Sequence, residues 1–573
     1  MDSMAILEFE SLFPGEKPNS LEEYLHGGDK EIILKLATLN LRKTDDFQDT
    51  LKTIFGPYNA NFVDELYDQI DNLNSHDDIK IILNPWSSLK LFERQIPIPE
   101  NAATQTDEEF EKNVLKGYLV LNSELTRNQS QAGNSVKDLN IKIRLPAMYF
   151  CMHFLLDDKV NYNIHDTWIT QSIKAIYLFN FMESNPALQL LLTKLLEHFG
   201  QPNWREYLKE TIHLAALAKD GMQDTYNDIV IENNNRYEVA CSFLEKLAVN
   251  ESDCLEAFDF LTTRSKPFYK VDEGRYRIIF TLFVVEKIFT GQYFILRDIN
   301  DTLLADKVPN LRGLFTDEFS EHIMLYLAVK AIYPNKGVQF TGEAMKPLLF
   351  NAEPDFYLRK GNNILLFESK DFLISANIKE SCDFNKIEPA LKKTLYGEIA
   401  NGKQKNGAIL QLINNIKRIL MKEFTPDTNY KYRDVYIYPI IITHHSQYDT
   451  HGLNMLAQIW FSEEIKKIEA EGIFVNRIKP LTIINIDSLL LFENGLRDNI
   501  YLHDAINMYH EDIKILPGIT LNSEDAAKEY VKKPLTAFSN FISSEFKNRG
   551  LYTLPKALDN LKMDLFADET DLN

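Results

Sequence analysis

Cysteine is scarce in this chain of 573 residues: Cys151, Cys241, Cys254 and Cys382 are the only four, and they form neither a paired metal-ligand spacing nor a disulfide framework. That pattern predicts a reducing, cytoplasmic setting. Long apolar runs are missing too, since no stretch approaches the ~20 residues needed to cross a bilayer. The opening MDSMAILEFE has no basic flank followed by an apolar core, so neither a secretory leader nor a membrane partner is expected. There is no P-loop, dinucleotide fingerprint, nucleophile-elbow serine or His-Glu-x-x-His helix. Any ATP-driven translocation therefore falls to another protein. No internal repeat period emerges. Positive charge is also in deficit, with 62 Lys and Arg against 83 Asp and Glu and a net charge of −21, so global charge does not argue for a polyanionic partner.

What is present suffices for more than one hydrophobic core, because 45% of the residues are hydrophobic and the length predicts two or three domains. Residues 1–305 read as a mainly helical region of unassigned role, open to a partner protein or to homo-oligomer formation. Within it TWITQSIKAIYLFNFM, PALQLLLTKLLEHFG, WREYLKETIHLAALAKD and EVACSFLEKLAV carry helical periodicity broken by Pro, Gly or Asn. KPFYKVDEGRYRIIF, residues 266–280, predicts a hairpin turning at Asp272-Glu273-Gly274. Residues 306–495 mix helix and strand patterns, and 496–573 predict a helical C-terminal segment with an acidic tail. Most of the acidity falls before residue 300. Residues 379–433 hold more bases than acids, including Lys392-Lys393, Lys403, Lys405 and Lys417-Arg418.

The densest chemistry lies in EPDFYLRKGNNILLFESK, residues 353–370. FYLRK and NILLFES have strand composition, and Gly361-Asn362 between them is a two-residue hairpin signal. With that turn Lys360 faces Asn363, Asp355 comes opposite Glu368, and Glu368 shares a face with Lys370 by the period of two. Ile364 to Phe367 is an unbroken apolar run, so the charges sit at the end of a covered strand, where they need a compensating partner. A divalent cation with hard oxygen ligands is such a partner. The bland reading is a strand-end Glu-Lys ion pair beside an unrelated turn aspartate. Asp157-Asp158-Lys159, Glu464-Ile465-Lys466 and Pro426-Asp427 repeat parts of the pattern, but only 354–370 combines all of it inside an apolar hairpin.

Pro354-Asp355 followed by Glu368-Ser369-Lys370 resembles the PD-(D/E)xK nuclease superfamily, over about residues 310–490. The resemblance implies an α/β nuclease core with a mixed central sheet flanked by helices, behind the large helical N-terminal domain and before the helical C-terminal segment. It implies a Mg2+-dependent deoxyribonuclease, with Mn2+ able to substitute and RNA as a second possible substrate, acting in bacterial restriction or antiviral defence. Asp355 and Glu368 would hold the metal, with the main-chain carbonyl of Ser369 beside them and Lys370 next to the attacking water. The superfamily often carries a glutamate directly after a Phe on its first core helix. Phe319 here precedes Ser320, which leaves Glu321 as the preferred candidate over Glu318. The family pattern also places a Gln-Leu pair on the helix after the motif, matched by Gln411-Leu412.

The flanking elements fit that order. DEFSEHIMLYLAVKAI, residues 317–332, predicts a helix with Thr316 as N-cap, an apolar face of Phe319, Ile323, Tyr326 and Leu327, and an end at Pro334-Asn335. GAILQLINNIKRILMKEF predicts a helix burying Ile409, Leu412, Ile413, Ile416 and Leu420. Its opposite stripe of Gln411, Asn415, Arg418 and Lys422 suits nucleic-acid contact or plain solvation. VYIYPIIIT predicts a buried strand with a bulge or edge position at Pro439, and LTIINIDSLL a further strand running into a helix. His444, His445 and His451, with Asp449, form a weaker candidate metal loop, and His153 beside Cys151 reads as a core pair. The competing functional class is a helical scaffold or regulatory binding protein that retains a nuclease fold without turnover.

Overall fold

The computed structural model describes residues 3–39, 52, 55–73, 78–96, 104–223, 226–250, 253, 258–334, 336–349, 353–400, 402–514, 532–558 and 565. Cys254, Asn335 and almost all of the acidic tail lie outside them. The protein is mixed α/β and forms two compact units. The first comprises residues 1–131, 159–172 and 188–307, and the second 132–158, 173–187 and 308–573. The main division thus falls between Lys307 and Val308, close to the expected start of the α/β region. Two stretches of the first half nevertheless belong to the second unit, and residues 496–573 do not separate from it.

The first unit is mainly helical. Gln189–Phe199, Trp204–Asp220 and Tyr237–Glu245 are helices where periodicity predicts them. Phe268–Asp272 and Arg275–Ile278 form the expected hairpin, closed by Gly274 at φ +69°. The hairpin lies in a four-stranded sheet with Asp228–Val230 and Ala248–Val249, and Ser3–Ile6 pairs in parallel with Asp78–Ile81.

The second unit is built on a five-stranded sheet: β1 (Val338–Thr341), β2 (Phe356–Lys360), β3 (Asn363–Lys370), β4 (Tyr436–Thr443) and β5 (Thr482–Asn485), in the order β5-β4-β3-β2-β1. The β1-β2-β3 meander is antiparallel, whereas β3, β4 and β5 run parallel. The four helices that frame the site are α1 (Ile141–Phe154), α2 (residues 311–332), α3 (Ala408–Met421) and α4 (Leu453–Ala470). α3 lies on β3 and β4, and α4 packs on α1, α3 and β5. The expected apolar face of α3 is buried, with Ile409, Leu412 and Ile416 at 0% exposure, each contributing roughly 1.5–3 kcal/mol.

Two details differ from expectation. The helical run α2 begins at Leu311, with the Asn310 side chain accepting from Gly313 N, so Thr316 lies inside it and caps nothing. Across Leu314–Leu325 its turns are wide, with i→i+5 hydrogen bonding. From Leu314 on, the buried residues are Phe315, Phe319, Ser320, Met324, Leu325, Tyr326, Ala328, Val329 and Ile332, so Phe319 and Tyr326 face inward as expected, while Met324 moves inward in place of half-buried Ile323 and Leu327 is exposed. Pro439 sits without a bulge in a strand paired on both sides, opposite Leu366 of β3. Its nitrogen points the same way as that of Ile437, which donates to Arg477, toward the flank where β5 has not yet begun. The missing N–H costs no ladder bond there.

Candidate functional site

Gly361 adopts φ +59° in the two-residue turn, Lys360 pairs with Asn363, and the ladder runs to Phe356 opposite Phe367. β2 ends there, while β3 continues beside β4, with Glu368 opposite Ile441 and Lys370 opposite Thr443. Asp355 replaces the missing strand: its Oδ2 accepts from Ser369 N at 2.6 Å. Lys370 Nζ lies 3.1 Å from Glu368 Oε2 and 3.5 Å from Asp355 Oδ2. The three side chains converge.

Glu368 is 0% exposed, and its second oxygen, Oε1, has no hydrogen-bond partner among the described residues. Burial, reinforced by the charge of Asp355, pushes its carboxyl well above the usual glutamate range. Burial works against the Lys370 ammonium, but Asp355 and Glu368 outweigh it and hold the proton more firmly than an ordinary lysine does. Glu321, from the wide-turned part of α2, joins this field. Burial raises its carboxyl first, and the charge of Asp355 adds to that, while His322 at 3.4 Å and Lys370 oppose it. Three carboxyls thus gather about one ammonium in a largely desolvated place, which favours a cation. Orphaned Glu368 Oε1 beside hard oxygen donors fits a small divalent ion held through carboxylates, main-chain carbonyl and water.

A polar support that sequence reasoning did not identify surrounds the motif. Asp371, directly after Lys370, accepts from Arg312 Nη2 at 2.8 Å and from Ser320 Oγ at 2.6 Å, and lies 3.0 Å from His445 Nε2. Burial alone would raise its carboxyl, yet His445 and Arg312 hold it well below the ordinary range. Ser369 Oγ meets His444 Nε2 at 2.8 Å, and burial lowers that imidazole to about 4, so it is neutral near pH 7. Ser320 gains a role here that the Phe319-Ser320 departure had left open. The only hint in the sequence was the placement of His444 and His445 just after a buried strand.

The stripe on α3 is not continuous. Gln411 Oε1 is buried and, like Asn415 Oδ1, has no hydrogen-bond partner among the described residues. Asn415 is 1% exposed, with Nδ2 donating to Gln411 O, because β3, β4, α4 and the hairpin at residues 397–406 cover more of the helix than its apolar face. That removes Asn415 from the expected nucleic-acid surface. Arg418 is half-buried. Lys422 stands past the end of α3 at φ +63°, with Nζ 5.3 Å from the Tyr432 ring.

The motif's partial repeats have other work. Asp427 binds Tyr357 Oη and Arg359 of the hairpin, Glu464 binds Tyr396 and Lys467, and Asp158 pairs with Lys379 at 2.7 Å. The expected metal loop disperses as well. His444 turns to Ser369, His445 to Asp371, Asp449 to Asn485 and Ser539, and His451 to Asp157. His153, expected in the core, keeps 40% of its side chain exposed and also faces Asp157. No protein-family model, curated protein or solved structure matches the chain.

Proposed function

We propose that this protein is a divalent-metal-dependent phosphodiesterase acting on nucleic acid, with DNA as the preferred substrate and a core of the PD-(D/E)xK kind. The observation that carries the reading is the meeting of Asp355 and Lys370 at buried Glu368, one oxygen of which has no partner among the described residues. Asp355 and Glu368 would hold Mg2+ or Mn2+, joined by the Ser369 carbonyl and, from α2, by Glu321. Bound there, the ion supplies acidification of a water and neutralisation of phosphate charge. Lys370, kept charged by its two carboxylates, orients the attacking water and offsets charge developing on the scissile phosphate. The Ser369 N–H fixes Asp355, and the His444 and Asp371 contacts fix the strand end that carries the motif. Gln411 offers an unpartnered amide oxygen on the neighbouring helix.

The test is incubation of the full chain with labelled single- and double-stranded DNA and RNA in Mg2+ or Mn2+, with EDTA as control. Cleavage should stop in EDTA, and Lys370→Ala or Asp355→Ala should slow it by at least about 100-fold. Cleavage that persists without metal, or at full rate in Lys370→Ala, overturns the mechanism. The scaffold reading has its own signature: calorimetric titration with Mn2+ would give the same result for wild type and Asp355→Ala.

A further inference from the structure

We propose a second metal site, of the zinc class, formed by His153, Asp157 and His451. It is independent of the phosphodiesterase reading. His153 lies in the last turn of α1, Asp157 follows four residues later, and His451 comes from the loop between β4 and α4, far along the sequence. One ligand atom from each lies within 4.8 Å of the other two. His153 Nδ1 is 3.3 Å from Asp157 Oδ1, and His451 Nδ1 is 3.2 Å from Asp157 Oδ2.

Those spacings admit an ion. A charge-assisted N–H···O bond to a carboxylate closes to about 2.7–2.9 Å. Ligands about 2.05 Å from a tetrahedral ion stand about 3.3 Å apart along each edge. The two imidazole–carboxylate spacings match that edge, each running to its own carboxylate oxygen, and are also within reach of a hydrogen bond. The rings face one another at 5.1 Å between centroids, leaving a gap bounded by the carboxylate. Asp157 is buried, with a side-chain exposure of 5%, whereas His153 is open to solvent, which leaves a route for the ion and a fourth position for water.

The surroundings hold the three ligands in place. Gly452 adopts φ +90°, and a Cβ there would stand 2.5 Å from Pro146 O, so the loop bearing His451 lies directly on the backbone of α1. His451 N reaches Asp157 Oδ2 at 3.3 Å, and the Tyr149 ring stacks on His153 at 5.9 Å with an interplanar angle of 6°. Asp158 faces away to Lys379, which leaves Asp157 alone to serve the histidines. Two imidazoles and one carboxylate select a borderline transition ion over Mg2+, whereas the all-oxygen set around Glu368 has the opposite preference. An ion there clamps α1 to the loop whose His444 and His445 support the strand-end motif.

Co2+ titration of the metal-stripped full chain, followed by visible absorption and elemental analysis, tests the assignment. In wild type and in Asp355→Ala alike, one of the bound Co2+ ions should show the intense ligand-field bands of tetrahedral coordination, displaceable by one Zn2+. His153→Gln and His451→Gln should weaken binding at least about 100-fold while retaining the far-UV circular dichroism of the apo chain. Because a substitution can unfold the loop, Zn2+ is also added to wild type and to Asp355→Ala, and both should show the same rise in thermal midpoint. Absence of tetrahedral bands in wild type, their survival in both histidine variants, or a Zn2+ shift lost in Asp355→Ala overturns the proposal.

Discussion

In the first unit Lys287 is 4% exposed, and burial lowers its ammonium to about 8 even though Glu286 and Asp298 pull the other way. The unfolded chain keeps that proton to about pH 10.4, so the folded state is the weaker proton binder between the two values. Stability should therefore rise as pH increases from about 8 to 10.4, and the penalty below that window is about 3 kcal/mol. Lys287→Met should raise the unfolding free energy at pH 7 and flatten the rise, as read by urea unfolding at several pH values. An unchanged slope would show that the proton is not the cause. Lys370 is the contrasting case: it is half-buried, yet two carboxylates outweigh its desolvation and keep it charged.

At the scale of elements, the β2-β3 hairpin follows from two residues. Only Gly361 takes the positive φ, and the turn then fixes which strand positions face each other, so the meeting of Asp355, Glu368 and Lys370 was legible before any coordinates. Gly361→Val should cost about 1–2 kcal/mol, because a β-branched residue strongly resists φ +59°. The loss should appear in urea unfolding as a lower midpoint with the m-value kept. No change would mean that the turn relaxes to another form. α3 was legible for a similar reason, since its apolar residues repeat at an undisturbed helical period. α2 was legible as a helix with Phe319 and Tyr326 inward, but a single spacing of five between Phe319 and Met324 shifts the period and misplaces Ile323 and Leu327. The ligand sets of Asp371 and Asp157 were hidden for another reason: Arg312, Ser320, His445 and His451 lie from 51 to 294 positions away, beyond any local pattern.

For the whole molecule, the second unit draws on three separated stretches of chain. Cutting at residue 307 removes Asp158 and Lys174, the partners at 2.7 Å of buried Lys379 and of Asp487. Removing one partner of a buried ion pair costs about 3–5 kcal/mol. A fragment of residues 308–573 should therefore resist folding despite containing the whole motif, and adding residues 132–187 should restore protection from proteolysis. A fragment that is stable alone would show these pairs to be dispensable. The same discontinuity bears on the order of synthesis. Ile173, Ile176, Phe179 and Met182 are at most 1% exposed in the finished fold, and their neighbour Phe181 meets Phe319, which is translated well over a hundred residues later. At roughly 5–20 residues per second, Phe181 waits several seconds on the ribosome for that ring, an interval in which a chaperone is its natural cover.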